Sequence, residues 1–247
     1  MKQTILIIGA TSGMAEAVAL RYAKESAQFF LVARNKEKLN AVSANLTAHG
    51  ARAVYTFVMD ANDSNLLPEM FASAWKAYQT IDVALIAHGT LPNQLRAQND
   101  IPYAIAEFRT NAESVIACMA GLAERFSSQG MGVIAVIGSV AGDRGRASNY
   151  LYGSAKAAIE TYASGLRGRL SRAGVHVLTI KPGFVATEMT AQLNLPALLT
   201  VSPEHVAQDI HHAILKRKDV LYTPWFWAII MRIIRSLPEV IFKRLRF

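Results

Sequence analysis

Cysteine is nearly absent. The single Cys118 rules out an internal disulfide in this 247-residue chain, and that suits a reducing compartment. Its place seven residues after Asn111, in an apolar helical segment, reads as a buried structural thiol. Long hydrophobic runs are missing too. Nothing reaches the ~18 apolar residues of a membrane-spanning helix. After Met1-Lys2-Gln3-Thr4, the four aliphatics ahead of Gly9 are too few for the core of a secretory signal, so a cytoplasmic protein is expected. No Pro/Gly/Ser-rich linker, low-complexity stretch or repeat divides the chain, which predicts one large domain, and a hydrophobic fraction of 52% is enough for its core. Acids are few against bases, 18 to 26, for a net charge of +8. Much of the excess falls late, at Lys216, Arg217, Lys218, Arg232, Arg235, Lys243, Arg244 and Arg246 against only Asp219 and Glu239. An anionic surface as partner is one reading of that excess and a solvated basic terminus the other. No nucleic-acid partner and no metal site are expected.

What is present starts with Tyr152-Gly153-Ser154-Ala155-Lys156, a phenol and an ammonium four residues apart in a helical segment and so on one face. A cation beside a tyrosine favours the phenolate and lowers its pKa, which would make Tyr152 a usable acid or base. The alternative is a chance spacing, and Tyr150, followed four residues later by Ser154, has no such cation. Upstream, Ser139 ends the apolar run Val133–Gly138 and so belongs at the carboxyl end of a strand, where open α/β sheets bind ligands.

The first half carries a nucleotide signature. Thr4 to Ile8 reads as a buried parallel strand, followed by Gly9-Ala10-Thr11-Ser12-Gly13-Met14-Ala15 and a helical pattern to about Ser26. Glycines there let the backbone approach a pyrophosphate at a helix N-terminus, although the spacing is wider than G-x-G-x-x-G and a purely structural turn is the rival. A second strand, Phe29–Ala33, is followed by Arg34, with Lys36 and Lys38 nearby. A cation at that point accommodates a 2′-phosphate and an acid would bind a ribose hydroxyl, so NADPH is the expected cofactor; the alternative for Arg34 is a surface charge. Strand three, Arg52 to Met59, ends at Asp60, which either accepts from an adenine amino group or caps the next segment through Asn62 and Asp63. Strand four, Ile81 to Ala87, ends in Ala87-His88-Gly89, where His88 reads as a packing residue ahead of a proton carrier.

In the second half, residues 101 to 128 read as one long helix with Asn111 as its buried polar residue, holding a water or bonded locally. The helix at 149 to 172 has small residues suited to a subunit interface. Strand six, Val175 to Ile180, leads to Lys181-Pro182-Gly183-Phe184-Val185-Ala186-Thr187, and 188 to 200 reads as a patternless loop, a candidate substrate lid.

Taken in order, Gly9-x-x-x-Gly13-x-Ala15, Asp60, Ala87-His88-Gly89, Asn111, Ser139, Tyr152-x-x-x-Lys156, Pro182-Gly183 and Thr187 resemble the short-chain dehydrogenase/reductase family across residues 1 to 223. The resemblance implies a doubly wound parallel α/β sheet of Rossmann type and an NADP-dependent enzyme, a homodimer or homotetramer. By the same resemblance Tyr152 is the general acid, Ser139 orients the carbonyl, Lys156 lowers the tyrosine pKa and binds the nicotinamide ribose, and Asn111 sustains a water relay. Gly9, Thr11, Ser12, Gly13, Met14, Arg34, Asp60, Ala61, Ala87, Gly89, Pro182, Gly183, Val185 and Thr187 would line the cofactor with Tyr152 and Lys156. Two positions depart from the family pattern: Ala15 replaces the third glycine, and Ala87-His88 replaces Asn-Ala.

The tail, 224 to 247, joins Trp225-Phe226-Trp227-Ala228-Ile229-Ile230-Met231 to a basic-apolar end after a break at Pro238. Neither segment is long enough to span, and together they predict an interfacial helix in peripheral contact with the inner face of an anionic membrane; an arm packed on a sister subunit or over the active site is the alternative. This tail, with Asp143-Arg144-x-Arg146 before Ser148-Asn149, is similar to the decaprenylphosphoryl 2-keto-pentose reductases. That likeness implies a lipid-linked ketone as substrate, with Arg144 and Arg146 meeting its phosphate, while the alternative for both arginines is surface charge. A 3-oxoacyl carrier-protein reductase is the rival enzyme, and an NADPH-sensing scaffold the rival outside catalysis.

Overall fold

All five side chains of Thr4–Ile8 are buried, as a central strand covered on both faces requires, and this strand, β1, is where the sheet divides. The computed structural model describes residues 3–245; Met1 and Lys2, and Arg246 and Phe247 of the basic tail, lie outside the described residues. From β1 the chain runs through α1 (Gly13–Ala23), β2 (Gln28–Ala33), α2 (Lys36–Ala48), β3 (Ala53–Val58), α3 (Leu67–Tyr78) and β4 (Val83–Ile86). It continues through α4 (Gln94–Asn99), α5 (Ile101–Phe108), α6 (Ser114–Gln129), β5 (Gly132–Ile137), α7 (Tyr150–Leu170) and β6 (Val175–Pro182). The last part holds β7 (Phe184–Val185), β8 (Thr200–Val201), α8 (Pro203–Leu215), β9 (Val220–Thr223), α9 (Phe226–Ser236) and α10 (Glu239–Phe242).

Seven strands pair in the order β3-β2-β1-β4-β5-β6-β9, all parallel, as expected of a doubly wound sheet. The alternation of β1 splits the core: Ile5 and Ile7 pack with α1, α2 and α8, and Leu6 and Ile8 face α3, α6 and α7. Each such aliphatic contributes about 1.5–3 kcal/mol by burial. Strand order reverses between β1 and β4, and that reversal opens a crevice at the carboxyl ends of the strands.

Three local features differ from expectation. The single helix over 101–128 is two helices, α5 and α6, joined by a π-helical turn at Arg109–Glu113, because Asn111 and Ser114 take side-chain bonds to Glu107 O and Thr110 O at that point. The patternless loop at 188–200 carries two 3₁₀ turns, and its ends are tied by pairing of β7 with β8. In the tail, Trp227 and Met231 are buried against Val140, with Phe184 and Leu199 packed around them. Among the described residues no helix is long and apolar enough to cross a membrane.

Candidate active site

The crevice between β1 and β4 is a cavity of about 510 Å³. Its floor is the β1–α1 turn. Gly9, at φ +88°, donates its N–H to Val32 O at 2.8 Å, and Ser12 caps α1 by accepting from Ala15 N–H at 3.3 Å. Gly9, Thr11, Ser12, Gly13 and Met14 are in its lining, as are Arg34, Asp60 and Ala61, and Ala87, His88, Gly89 and Thr187. The sequence expectation therefore converges on one cleft for the nucleotide residues. Lys38, named beside Arg34 in the sequence, lines the mouth from α2, and the sequence reading missed its partner there, Glu188, which pairs with it from the far side at 3.3 Å. One oxygen of Asp60 accepts from Asn62 N–H at 2.9 Å, the turn-capping role. Pro182, Gly183 and Val185 follow β6 and lie outside the set of residues lining this cavity.

Tyr152 and Lys156 of α7, like Ser139 and Asn111, are not in the lining of this cavity but lie behind it, Lys156 and Asn111 next to the lining residue Gly89. The ammonium of Lys156 sits 5.5 Å from the Tyr152 ring centroid and donates to Ile137 O at 2.9 Å. Lys156 is 3% exposed, and that burial pulls its pKa down to about 8, against an opposing pull from Glu160. The phenol moves the other way. Burial pushes Tyr152 up to about 12, the Ser139 hydroxyl draws it back, and Glu160 adds to the rise. The expectation that Lys156 depresses the tyrosine pKa is thus not met in this cleft, where desolvation of the phenolate is the largest effect on Tyr152. At neutral pH Tyr152 carries its proton.

Asn111, 1% exposed, lies in the π-turn with its amide committed: Oδ1 accepts from Thr90 N–H at 3.0 Å, and Nδ2 donates to Thr90 Oγ1 at 2.8 Å and Glu107 O at 3.0 Å. Thr90 donates in turn to the Glu107 carboxylate. A Cβ on Gly89 would stand 2.9 Å from Asn111 Oδ1 and 3.7 Å from Lys156 Nζ, so the missing side chain keeps amide and ammonium together.

His88 has a fixed tautomer. Ser114 Oγ uses its one hydrogen on Thr110 O at 2.8 Å, so His88 Nε2, 2.9 Å away, must be the donor to it. Nδ1 is then a bare acceptor, and it has no partner among the described residues. Burial, reinforced by the Lys156 charge, lowers the His88 pKa to about 4, so the ring is neutral and no proton carrier at pH 7.

The two arginines expected to meet substrate are separated. Arg144 does not extend into the cleft: its guanidinium donates to Ile234 O at 2.5 Å and Leu237 O at 2.7 Å, pairs with Glu239 at 2.9 Å and lies 3.7 Å over the Phe242 ring. It clamps the carboxyl end of α9, a site of negative helix dipole, and so is held by the tail and not presented to a ligand. Arg146 is half-buried, and its Nε has no partner among the described residues. Trp227 lies against Gly183 so closely that a Cβ there would fall inside the indole. Trp227, Phe184 and Val140 make an apolar wall beside the Ser139 turn.

Comparison with known proteins identifies the family and the fold. Residues 3–197 match the family model described as short chain dehydrogenase. An uncharacterized oxidoreductase of Mycobacterium tuberculosis is 36% identical over 241 residues, 98% of this chain and 96% of that one. Another, from Streptomyces coelicolor, is 29% identical over 244 residues, again 98% of this chain and 96% of its own. Among solved structures, a variant of actinorhodin polyketide ketoreductase crystallised with NADPH superposes with a TM-score of 0.82 at 21% identity, covering 92% of this chain and 97% of that one, and so shares the fold. The chain belongs to the short-chain dehydrogenase family of oxidoreductases.

Proposed function

We propose that the protein is an NADPH-dependent reductase that converts a ketone to a secondary alcohol, with a lipid-linked, anionic substrate such as a polyprenyl-phosphate 2-keto sugar. The observation that carries the reductive reading is the geometry of α7, which sets the Tyr152 ring centroid 5.5 Å from the Lys156 ammonium and its phenol beside the Ser139 hydroxyl. The fit to the cofactor rests on the glycine turn at the α1 N-terminus, whose unpaired N–H groups suit a pyrophosphate, and on Arg34 and Lys38 at the cavity wall, which suit a 2′-phosphate. Lys156 would meet the ribose hydroxyls and Thr187, which lines the cavity, would meet the carboxamide, with Pro182, Gly183 and Val185 following β6 just outside that lining. NADPH, when bound, would supply the hydride. Tyr152 then gives its proton to the carbonyl oxygen, Ser139 donates a hydrogen bond to the same oxygen, and Asn111 holds Thr90 and the π-turn in place for proton resupply.

The lipid part of the reading rests on apolar area at the substrate side. The segment 186–200 borders a second, open cleft of about 400 Å³ lined by Leu193, and the same segment exposes Leu193 and Leu198 at 48% and 96%. Helix α9 adds an outward stripe, Trp225, Ile229 and Ile233, with Arg232 and Arg235 exposed beside it. An apolar face edged by arginines fits an anionic bilayer surface. With Arg144 held by the tail, Arg146 is the arginine left for a substrate phosphate. Small exposed residues of α7 (Ser154, Ser164, Gly165, Gly168) would serve a dimer or tetramer contact.

The test is NADPH oxidation by the full chain on anionic vesicles against three ketones: a polyprenyl-phosphate 2-keto pentose, an acetoacetyl carrier-protein mimic and a long-chain ketone. Turnover with the sugar lipid alone is expected. Turnover with the acyl thioester alone would overturn the lipid reading in favour of a carrier-protein reductase, and no NADPH turnover with any ketone would favour a sensing role. Membrane contact is tested separately by changing Trp225, Ile229 and Ile233 together to serine, which leaves the packed face of α9 intact. Co-sedimentation with anionic vesicles should drop at least about tenfold, since each large apolar side chain withdrawn removes about 1.5–3 kcal/mol; unchanged sedimentation would count against the tail as the anchor.

A further inference from the structure

One buried carboxylate near the site has no part in the reaction as described. Glu160 is 8% exposed and follows Lys156 by four residues and Tyr152 by eight, on the same face of α7. Its Oε1 accepts from the backbone N–H of Ser139 at 2.9 Å, and its Oε2 pairs with Lys181 at 2.8 Å. Lys181 also pairs with Asp143 at 2.6 Å, and Tyr222 donates to the other Asp143 oxygen at 2.9 Å. The carboxylate sits in a cradle that only glycine leaves open: a Cβ on Gly138 would be 2.5 Å from Oε1, and one on Gly142 would be 2.8 Å from both oxygens. So α7, the Ser139–Asp143 turn, β6 and β9 all meet at Glu160.

We propose that Glu160 is a positioning residue for the reduction: its carboxylate fixes Ser139 at the head of the catalytic turn and places a negative charge beneath the Tyr152 and Lys156 pair, with Lys181 and Asp143 holding it there. This rests on the assignment of Tyr152 as proton donor. The charge acts on a defined group. Lys156 is faced by Glu160 and the Tyr152 ring from its own helix, by neutral His88 beyond β4, by Asn111 from the π-turn and by Ile137 O from β5. Glu160 is the carboxylate among them, and it opposes the burial that drives Lys156 towards neutrality. Glu160 itself is faced by Lys181 from β6, Asp143 from the turn and Tyr222 from β9; burial raises its pKa, and Lys181 and the Ser139 N–H draw it back.

Two substitutions separate charge from shape. Glu160→Gln keeps an oxygen for the Ser139 N–H and removes the charge, so Lys156 should lose its proton at lower pH. The alkaline limb of kcat/KM should move down by about one pH unit, with NADPH binding within about twofold of the parent. Glu160→Asp keeps the charge but falls one methylene short of Ser139; kcat should drop about tenfold with the limb unmoved. Circular dichroism melts establish which variants are folded, and Glu160→Asp decides the case if the glutamine variant is not. A folded Glu160→Gln with the parental limb, or a Glu160→Asp with parental kcat, would overturn the proposal. Failure of the underlying reading looks different, since Tyr152→Phe would then turn over normally.

Discussion

Tyr152→Phe should lower ketone turnover by about 10²- to 10⁴-fold, the usual worth of a positioned proton donor, while NADPH titration stays within about twofold of the parent. The substitution removes one oxygen and leaves the ring, so Lys156 keeps its neighbour at the 5.5 Å centroid distance and its bond to Ile137 O. What disappears is the hydroxyl that burial keeps protonated and that interacts with Ser139. Steady-state NADPH oxidation alongside a fluorescence titration of cofactor binding would check both halves. Normal turnover in the phenylalanine variant would remove Tyr152 from the chemistry, and a large loss of NADPH affinity would make it a cofactor ligand first.

Gly9→Ala should cost about 3 kcal/mol or more of folding stability, an effect on the whole domain and not on the cleft alone. Two penalties act together. The residue holds φ +88°, where an L side chain is strained, and an added Cβ would lie 2.5 Å from His88 N and 2.7 Å from His88 Cα. Those are backbone atoms at the end of β4, so no side-chain rotation relieves the contact. The strand ends that define the crevice would have to part. A urea titration of the alanine variant should show a midpoint far below the parent; a midpoint within about 0.2 M would contradict the close approach, given slopes of about 1–3 kcal/mol per molar.

Local signals in the chain were the legible ones. The β1 aliphatics, the glycine turn, Ser139 at a strand end and the Tyr152 and Lys156 spacing all depend on neighbours within a few residues, and the structure puts each where the pattern placed it. Long-range facts were not legible. Glu160 looks like an ordinary helix charge until Lys181, Asp143 and two glycines are folded around it. Arg144 looked like a ligand for phosphate because a loop arginine gives no sign of partners ninety residues away. The π-turn at Asn111 escaped notice because the apolar period runs through it unbroken. Tail residues are apolar on both sides of α9, so no pattern separated the packed Trp227 from the exposed Trp225.

Helix α7 carries Tyr152, Lys156 and Glu160 one turn apart on a single face. An α-helix advances about 100° per residue, so inserting or deleting one residue between Tyr152 and Glu160 would swing part of that face away from the cleft. No compensating shift elsewhere restores it, because the carboxylate end is fixed to the β5 turn and to β6 while the phenol end stands beside Lys156. Descendants of this gene can therefore trade residues along α7 singly, but a change of length there removes proton donor, ammonium or anchor at one stroke. A change of length should be borne more easily in 188–200, whose ends are tied by pairing of β7 with β8.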